Sequence, residues 1–364
     1  MEPGACAPVR SSRVPAREFP RLLSLTLTHA CPLRCEMCGQ HSETGYVRLQ
    51  ASPPVRPMRL DDWRRLVDEA AAFGGVSLLL RGGEPLVFPG IIDLISHVRG
   101  ADLPLSIDTS GVRLEQHAEA LATIGGMHVT VSVDGPPAVH DAVRGVPGTF
   151  AQLERGIRAL RAACERRSTQ ISLSLTCTLT PRTVATLEQL PDVARRLAVP
   201  VITLVPVYWV PTAAGEAYEE DLAREFGDQA ISWRGFPRGT SELLADRLLA
   251  QLRAFRARLG DIETYPYMPL TNAEYVEWFD NHETPVGVRC RNAETLLDVR
   301  PDGQANFCVD FCDFTLGDVR EHRLGELWRS ERAEQFRARL RRRAMPVCQR
   351  CGAKYMGEQA ATRA

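Results

Sequence analysis

Lysine is almost missing from this chain. Of 44 basic residues in 364, only Lys354 is lysine and the rest are arginine, which reads as GC-rich coding rather than as a binding surface. A charge excess of either sign is missing too, because 45 acidic residues balance the basic ones. That removes the general case for nucleic acid or an anionic membrane as partner. The one dense arginine run, Arg337 to Arg343, is expected to be a solvated helix face. No apolar run approaches the roughly 18 residues of a membrane span. Residues 1–20 lack the apolar core of a secretory signal and read as a loose tail. A cytoplasmic, reducing setting is therefore expected, in which cysteines remain thiols.

Cysteine is what the chain has in excess: there are 11, and seven fall into tight spacings. Cys31, Cys35 and Cys38 stand as C-x3-C-x2-C directly after the strand-like Leu22–Thr28. Three thiolates on one short loop suit a soft metal centre. Three cannot complete four-cysteine ligation of a four-iron cluster, so one iron would stay open to a reacting molecule. A structural zinc knuckle is the competing reading, with His29 or His41 as fourth ligand.

From Leu22 the chain alternates short apolar strands with amphipathic helices. Strands are expected at Leu22–Thr28, Val76–Leu80, Leu103–Asp108, His128–Asp134, Gln170–Thr178 and Val201–Val207. Helices are expected at Leu60–Phe73, Ile91–Val98, Glu115–Thr123, Phe150–Glu165 and Thr183–Leu197, with Asp61-Asp62 and Thr149 as cap signals. This order implies parallel βαβ units in an α/β fold, an open partial barrel of six strands. Ligands on such sheets bind beyond the carboxyl ends of the strands, where the three-cysteine loop lies. Residues 208–289 are less regular. They hold an expected helix at Ser241–Leu259 and an aromatic group (Tyr208, Trp209, Trp233, Tyr265, Tyr267, Tyr275, Trp278), each of them expected as ordinary core packing in a bridging or substrate-covering segment. Residues 290–355 open on Cys290, form a hairpin over Leu296–Phe307 with a Pro-Asp-Gly turn, reach Cys308, continue through a helix at Glu326–Arg343 and end on Cys348-x2-Cys351.

The second strand is followed by Arg81-Gly-Gly-Glu-Pro85. Paired glycines let a ligand approach the backbone, and Glu84 offers an acceptor for a cationic group. One βα unit after C-x3-C-x2-C, this turn resembles that of the radical S-adenosylmethionine (SAM) superfamily. The resemblance covers about residues 21–207. It implies a [4Fe–4S] cluster on Cys31, Cys35 and Cys38 whose open iron chelates SAM. It also implies SAM contacts from Gly82, Gly83, Glu84 and Pro85, with Met37 beside the adenine where relatives carry an aromatic residue. Strand alternation puts Thr130, Ser132 and Asp134 on one face, expected to be the lumen. The resemblance places Ser132 and Asp134 near the ribose or methionine, and Arg144, in His140-Asp-Ala-Val-Arg-Gly145, at the carboxylate; a surface salt bridge is the alternative for Arg144.

Cys290-x12-Gly303-x4-Cys308 resembles the opening of SPASM and twitch domains. With no cysteine beyond Cys351, the shorter twitch form is expected, with one auxiliary [4Fe–4S] cluster on Cys290, Cys308, Cys348 and Cys351. A zinc ribbon is the alternative. Cys6 and Cys164 read as incidental. Cys177 points away from the lumen by parity, and Cys312 is an optional ligand or hydrogen donor. The expected activity is that of a radical SAM oxidoreductase, dehydrogenase-like. The resemblance implies cleavage of SAM to a 5′-deoxyadenosyl radical, hydrogen abstraction from a sugar- or aminocyclitol-like intermediate, and a flavodoxin or ferredoxin as reductant. The rivals are a peptide maturase acting on a ribosomal precursor and a non-catalytic zinc scaffold. His41, Glu43 and Tyr208 are the candidates to accept a proton.

Overall fold

The computed structural model describes residues 19–49, 56–236, 245–266, 268, 270–280 and 290–355. The tail's residues 1–18, Cys6, Tyr267 and residues 241–244 of the expected 241–259 helix lie outside the described residues. Ten strands form one sheet: β1 (Leu22–Thr26), β2 (Ser77–Arg81), β3 (Leu105–Thr109), β4 (Met127–Ser132), β5 (Ile171–Leu179), β6 (Val201–Pro206), β7 (Glu263–Pro266), β8 (Leu296–Val299), β9 (Gln304–Asn306) and β10 (Gly317–Asp318). Their order is β10-β9-β8-β1-β2-β3-β4-β5-β6-β7. The pairs from β1 through β7 are parallel, and the β8–β9 and β9–β10 pairs are antiparallel.

The expected six-stranded parallel run is thus present and extended at both edges. β7, from the irregular segment, pairs with β6, while β8 pairs with β1 in the register Leu22↔Leu296 and Ser24↔Asp298. An open sheet has two edges with unpaired backbone groups, and these additions cover both. The C-terminal hairpin is continuous with the barrel rather than a detached appendage.

Alternation builds the two faces. In β4, Met127, Val129 and Val131 are buried, whereas His128, Thr130 and Ser132 line the lumen. In β5, Leu173, Leu175, Cys177 and Leu179 are buried, and Ser172, Ser174, Thr176 and Thr178 line the lumen. The helices cover the apolar face, as when Leu60–Phe73 buries Trp63, Leu66, Val67 and Ala70. Trp209, Trp233, Tyr275 and Trp278 pack in the core as expected, whereas Tyr265 is 49% exposed and Tyr208 is half-buried, both at the lumen.

Four local expectations change. The 183–197 helix is broken into Pro181–Val184, a short turn Leu187–Gln189 and Leu190–Leu197. Pro191 has no N–H to continue a helix and sits where a new one begins. The 326–343 helix is two, Leu324–Trp328 and Glu331–Arg342, with Ser330 Oγ accepting from Ala333 N to cap the second. The helix Thr149–Arg167 is not capped by Thr149. The Asp141 carboxylate accepts from Gly148 N at 2.6 Å and Phe150 N at 2.8 Å, capping it from the preceding helix. The arginine run is not a uniformly solvated face. Arg337 and Arg339 are 6% and 5% exposed. Arg337 Nε donates to Ala293 O at 2.7 Å, and its guanidinium lies 4.3 Å from the Trp328 ring centre. Arg339 pairs with Asp221 and Glu225.

Candidate active site

The three-cysteine loop leaves β1 and is fastened on two sides. Gly83 N donates to Thr28 O at 2.7 Å and Glu84 N to Ala30 O at 2.9 Å, which binds the loop entry to the Gly-Gly-Glu-Pro turn. A Cβ on Gly82 would stand 2.6 Å from Thr28 O, and one on Gly83 2.5 Å from Ala30 O. The two glycines are therefore required by the approach of one backbone to another. On the other side, Arg34 N donates to Arg144 O and Glu36 N to Val143 O, both at 3.0 Å, tying the loop to the end of the helix Pro137–Arg144.

Cys31, Cys35 and Cys38 all border a lumenal cavity of about 1180 Å³. Burial pushes the Cys31 thiol up to about 12, with Cys35, Glu84 and Cys38 adding to the rise. The Cys38 thiol is raised by burial and by Cys35. Such thiols ionise when a soft metal takes the proton's place, so the donor set suits an iron–sulfur centre. Among the described residues no three metal-ligating side chains close on one point. A cluster that gives each thiolate a different iron does not require that closure, whereas a single tetrahedral zinc does.

Gly82, Gly83, Met37, Ser132 and Arg144 line the same cavity, beside Tyr46 and Arg81. Glu84 and Asp134 are not among the lining residues. Glu84 is fully buried. Its Oε1 accepts from Thr109 Oγ1 at 2.7 Å and from Leu86 N at 3.0 Å. Its Oε2 accepts from Ser110 N at 2.8 Å and from Ser110 Oγ. Those four bonds hold both carboxylate oxygens within the protein. Asp134 lies past the end of β4, where alternation no longer applies. It is buried, ion-paired with Arg144 at 2.6 Å, and Thr178 N donates to it at 3.2 Å. Arg144 is accordingly no surface salt bridge, being 8% exposed. Pro85 is buried at the start of a short turn. Of the proton-acceptor candidates, His41 and Tyr208 border the cavity, and Glu43 is exposed away from it.

The C-terminal cysteines come from three segments. Cys308 follows β9, with its N–H donating to Asn306 Oδ1 at 2.8 Å. Cys348 lies within the tight turn Pro346–Arg350 and Cys351 directly follows it, and Asn292 Nδ2 donates to Ala353 O at 2.9 Å, joining the Cys290 segment to it. Burial raises Cys308 and Cys351 well above the ordinary thiol range; Cys351 and Cys348 act on Cys308, and Cys348 and Cys290 act on Cys351. Four neighbouring thiols in a desolvated pocket form a soft donor set of the same kind. Cys312 is apart from them, with its thiol directed at Tyr46 Oη at 3.8 Å. Cys177 is buried on the far side of β5, as parity indicated. The sequence reading missed Asp310. This half-buried carboxylate borders the lumen and acts electrostatically on both Cys308 and Cys351. Only its place just after Cys308 could have hinted at it.

A three-cysteine loop on a parallel-sheet lumen and a second cysteine group in the C-terminal region suit iron–sulfur ligation, and comparison with known proteins agrees. The radical SAM superfamily model matches residues 25–193, and that of the SPASM iron-sulfur cluster-binding domain matches residues 290–352. The chain thus carries a radical SAM domain followed by a SPASM domain. The first domain implies a [4Fe–4S] cluster and SAM, and the second implies auxiliary iron–sulfur ligation in the C-terminal region. It is 29% identical over 216 residues to an AdoMet-dependent heme synthase of Methanosarcina barkeri, covering 59% of this chain and 57% of that one. It is 26% identical to a pre-heme d1 synthase of Dinoroseobacter shibae, covering 90% of this chain and 77% of the relative. A PqqA peptide cyclase of Streptomyces rochei is 35% identical over 151 residues, 41% of this chain and 39% of that one. In fold the chain is similar to Streptococcus suis SuiB bound to S-adenosylmethionine, with a TM-score of 0.60 at 14% identity, covering 92% of this chain and 73% of that one. No helix among the described residues is long and apolar enough to cross a membrane.

Proposed function

We propose that this enzyme removes two electrons from a polyhydroxylated small molecule, sugar- or aminocyclitol-like, held in the lumen. The observation that carries this reading is the lumen itself. Ser106, Thr130, Ser132, Ser172, Ser174, Thr176, Thr178 and Thr203 present hydroxyls to it, and His128 Nε2 meets Ser174 Oγ at 2.8 Å. Such a wall matches a ligand rich in hydroxyls, each of which both donates and accepts. In this reading residues 21–207 are the catalytic barrel, 208–289 the bridging segment and 290–355 the auxiliary domain; Phe19 and Pro20, expected in the tail, are instead buried, with Phe19 stacked on Phe73.

Cys31, Cys35 and Cys38 would hold the SAM-binding cluster, and Cys290, Cys308, Cys348 and Cys351 one auxiliary cluster. When bound, the cluster and SAM supply a carbon radical able to take hydrogen from an unactivated C–H bond. The backbone of Gly82 and Gly83, with Met37 and Ser132, would seat SAM, while Glu84, Pro85, Asp134 and Arg144 support that seat from behind. Four thiolates leave the auxiliary cluster no open iron, which favours electron transfer over substrate binding. A flavodoxin- or ferredoxin-type protein would supply the initiating electron. Formation of a product two mass units lighter than an aminocyclitol or sugar substrate, with one SAM consumed per product, is the expected result in mass spectrometry.

The peptide-maturase reading draws support from the similarity to the PqqA peptide cyclase. A crosslinked or epimerised precursor peptide, with no turnover of any cyclitol or sugar, would replace the first reading with this one.

A further inference from the structure

The helix Pro137–Arg144 reaches the cysteine loop with more than its backbone. Arg144 Nη1 donates to Cys35 Sγ at 3.6 Å, and Arg144 Nε faces Asp134 Oδ2 at 2.6 Å. Cys35 and Arg144 are each 8% exposed, and Asp134 is 0% exposed. The approach is built into the chain: a Cβ on Gly145 would stand 2.5 Å from Arg34 O. Asp134 is itself fixed, since Thr178 N donates to it and its own N–H donates to His140 Nδ1 at 3.2 Å. Burial, then Arg144, pushes the His140 imidazole down to about 3, so it adds no charge near neutrality.

Asp134, Arg144 and Cys35 thus form a buried line, negative to positive to sulfur. We propose that Arg144 is a positioning residue for the Cys35 thiolate, and that the Asp134–Arg144 dipole sets how readily the SAM-binding cluster accepts its electron. This rests on the assignment of Cys35 as a ligand of that cluster. Reduction adds one electron, from a protein or chemical reductant, and no proton. A cation beside a ligand sulfur stabilises the added charge, and a carboxylate behind that cation tempers it. The role differs from a SAM-carboxylate clamp because it operates when SAM is absent.

The test is a redox titration of the reconstituted full chain without SAM, followed by electron paramagnetic resonance. The auxiliary couple serves as an internal reference. Arg144→Gln should shift the N-terminal couple to more negative potential, and Arg144→Lys should shift it less. Asp134→Asn should shift it the opposite way, to more positive potential, with the auxiliary couple unmoved in all three. Opposite signs from two partners in one ion pair are not what general loosening of the loop produces. Unmoved potentials in Arg144→Gln and Asp134→Asn, or shifts of the same sign in both, would overturn the proposal. The ligand assignment is tested separately by Cys35→Ala, which should lose the N-terminal signal altogether. If it keeps that signal, the assignment fails whatever the Arg144 and Asp134 variants do.

Discussion

The two cysteine sites solve one problem in opposite ways. The N-terminal three lie within eight residues of one loop, and the fold needs only to clamp that loop in place. It does so from both sides, through Thr28 and Ala30 to the glycine turn and through Arg34 and Glu36 to the helix ending at Arg144. The C-terminal four come from a segment before β8, the end of β9 and a turn after the last long helix, so tertiary structure must bring them together. A local site can lose a ligand and keep its scaffold. An assembled site shares its ligands with the packing of its own domain.

The largest expected effect is at the local site. Cys35→Ala should abolish reductive formation of 5′-deoxyadenosine and lower reconstituted iron by about half, as two four-iron clusters imply. Circular dichroism should remain that of a folded protein. Cys348→Ala sharpens the contrast: it should lose the auxiliary signal, retain SAM cleavage and lower the melting temperature, because the domain loses a crosslink among three segments. Third is Glu84→Gln, where an amide nitrogen would face donors that now meet a carboxylate. It should cost about 3 kcal/mol in denaturant unfolding; a neutral result would mean that the turn is not held by that network. A smaller loss, about 1 kcal/mol, is expected for Asp141→Ala, which removes a cap. The Asp141 carboxyl sits below its ordinary value: burial would raise it, but hydrogen bonds from Phe150, Gly148 and Thr149 outweigh that. Its contribution should therefore be full above the ordinary carboxylate range and fade as pH falls through the lowered value. The smallest effect is Cys312→Ala, which should keep both clusters and full iron; loss of the auxiliary signal there, with Cys348→Ala harmless, would redraw the ligand set.

Legibility followed the same division between local and assembled features. The helix Leu60–Phe73 was readable to its ends, because its apolar spacing and its acidic first turn are local signals. The lumen faces of β4 and β5 followed from alternation while the strands lasted. Alternation failed at Asp134, two residues beyond its strand, where an ion pair with Arg144 decides the direction. The buried positions of Arg337 and Arg339 were equally unreadable, since the aromatic rings and acids that accept them lie far away in sequence.

The sequence by itself determined the chemistry on offer: three thiols on one loop, four more downstream, a glycine turn and a parallel α/β order. Those are properties of residue type and short spacing. Only the tertiary structure decided that Glu84 is held within the protein, that β8 joins the C-terminal hairpin to β1, and that Asp310 borders the lumen while acting on Cys308 and Cys351. Each of these depends on which distant groups satisfy a buried charge or a sheet edge, and that pairing is written in the fold rather than in any short stretch of chain.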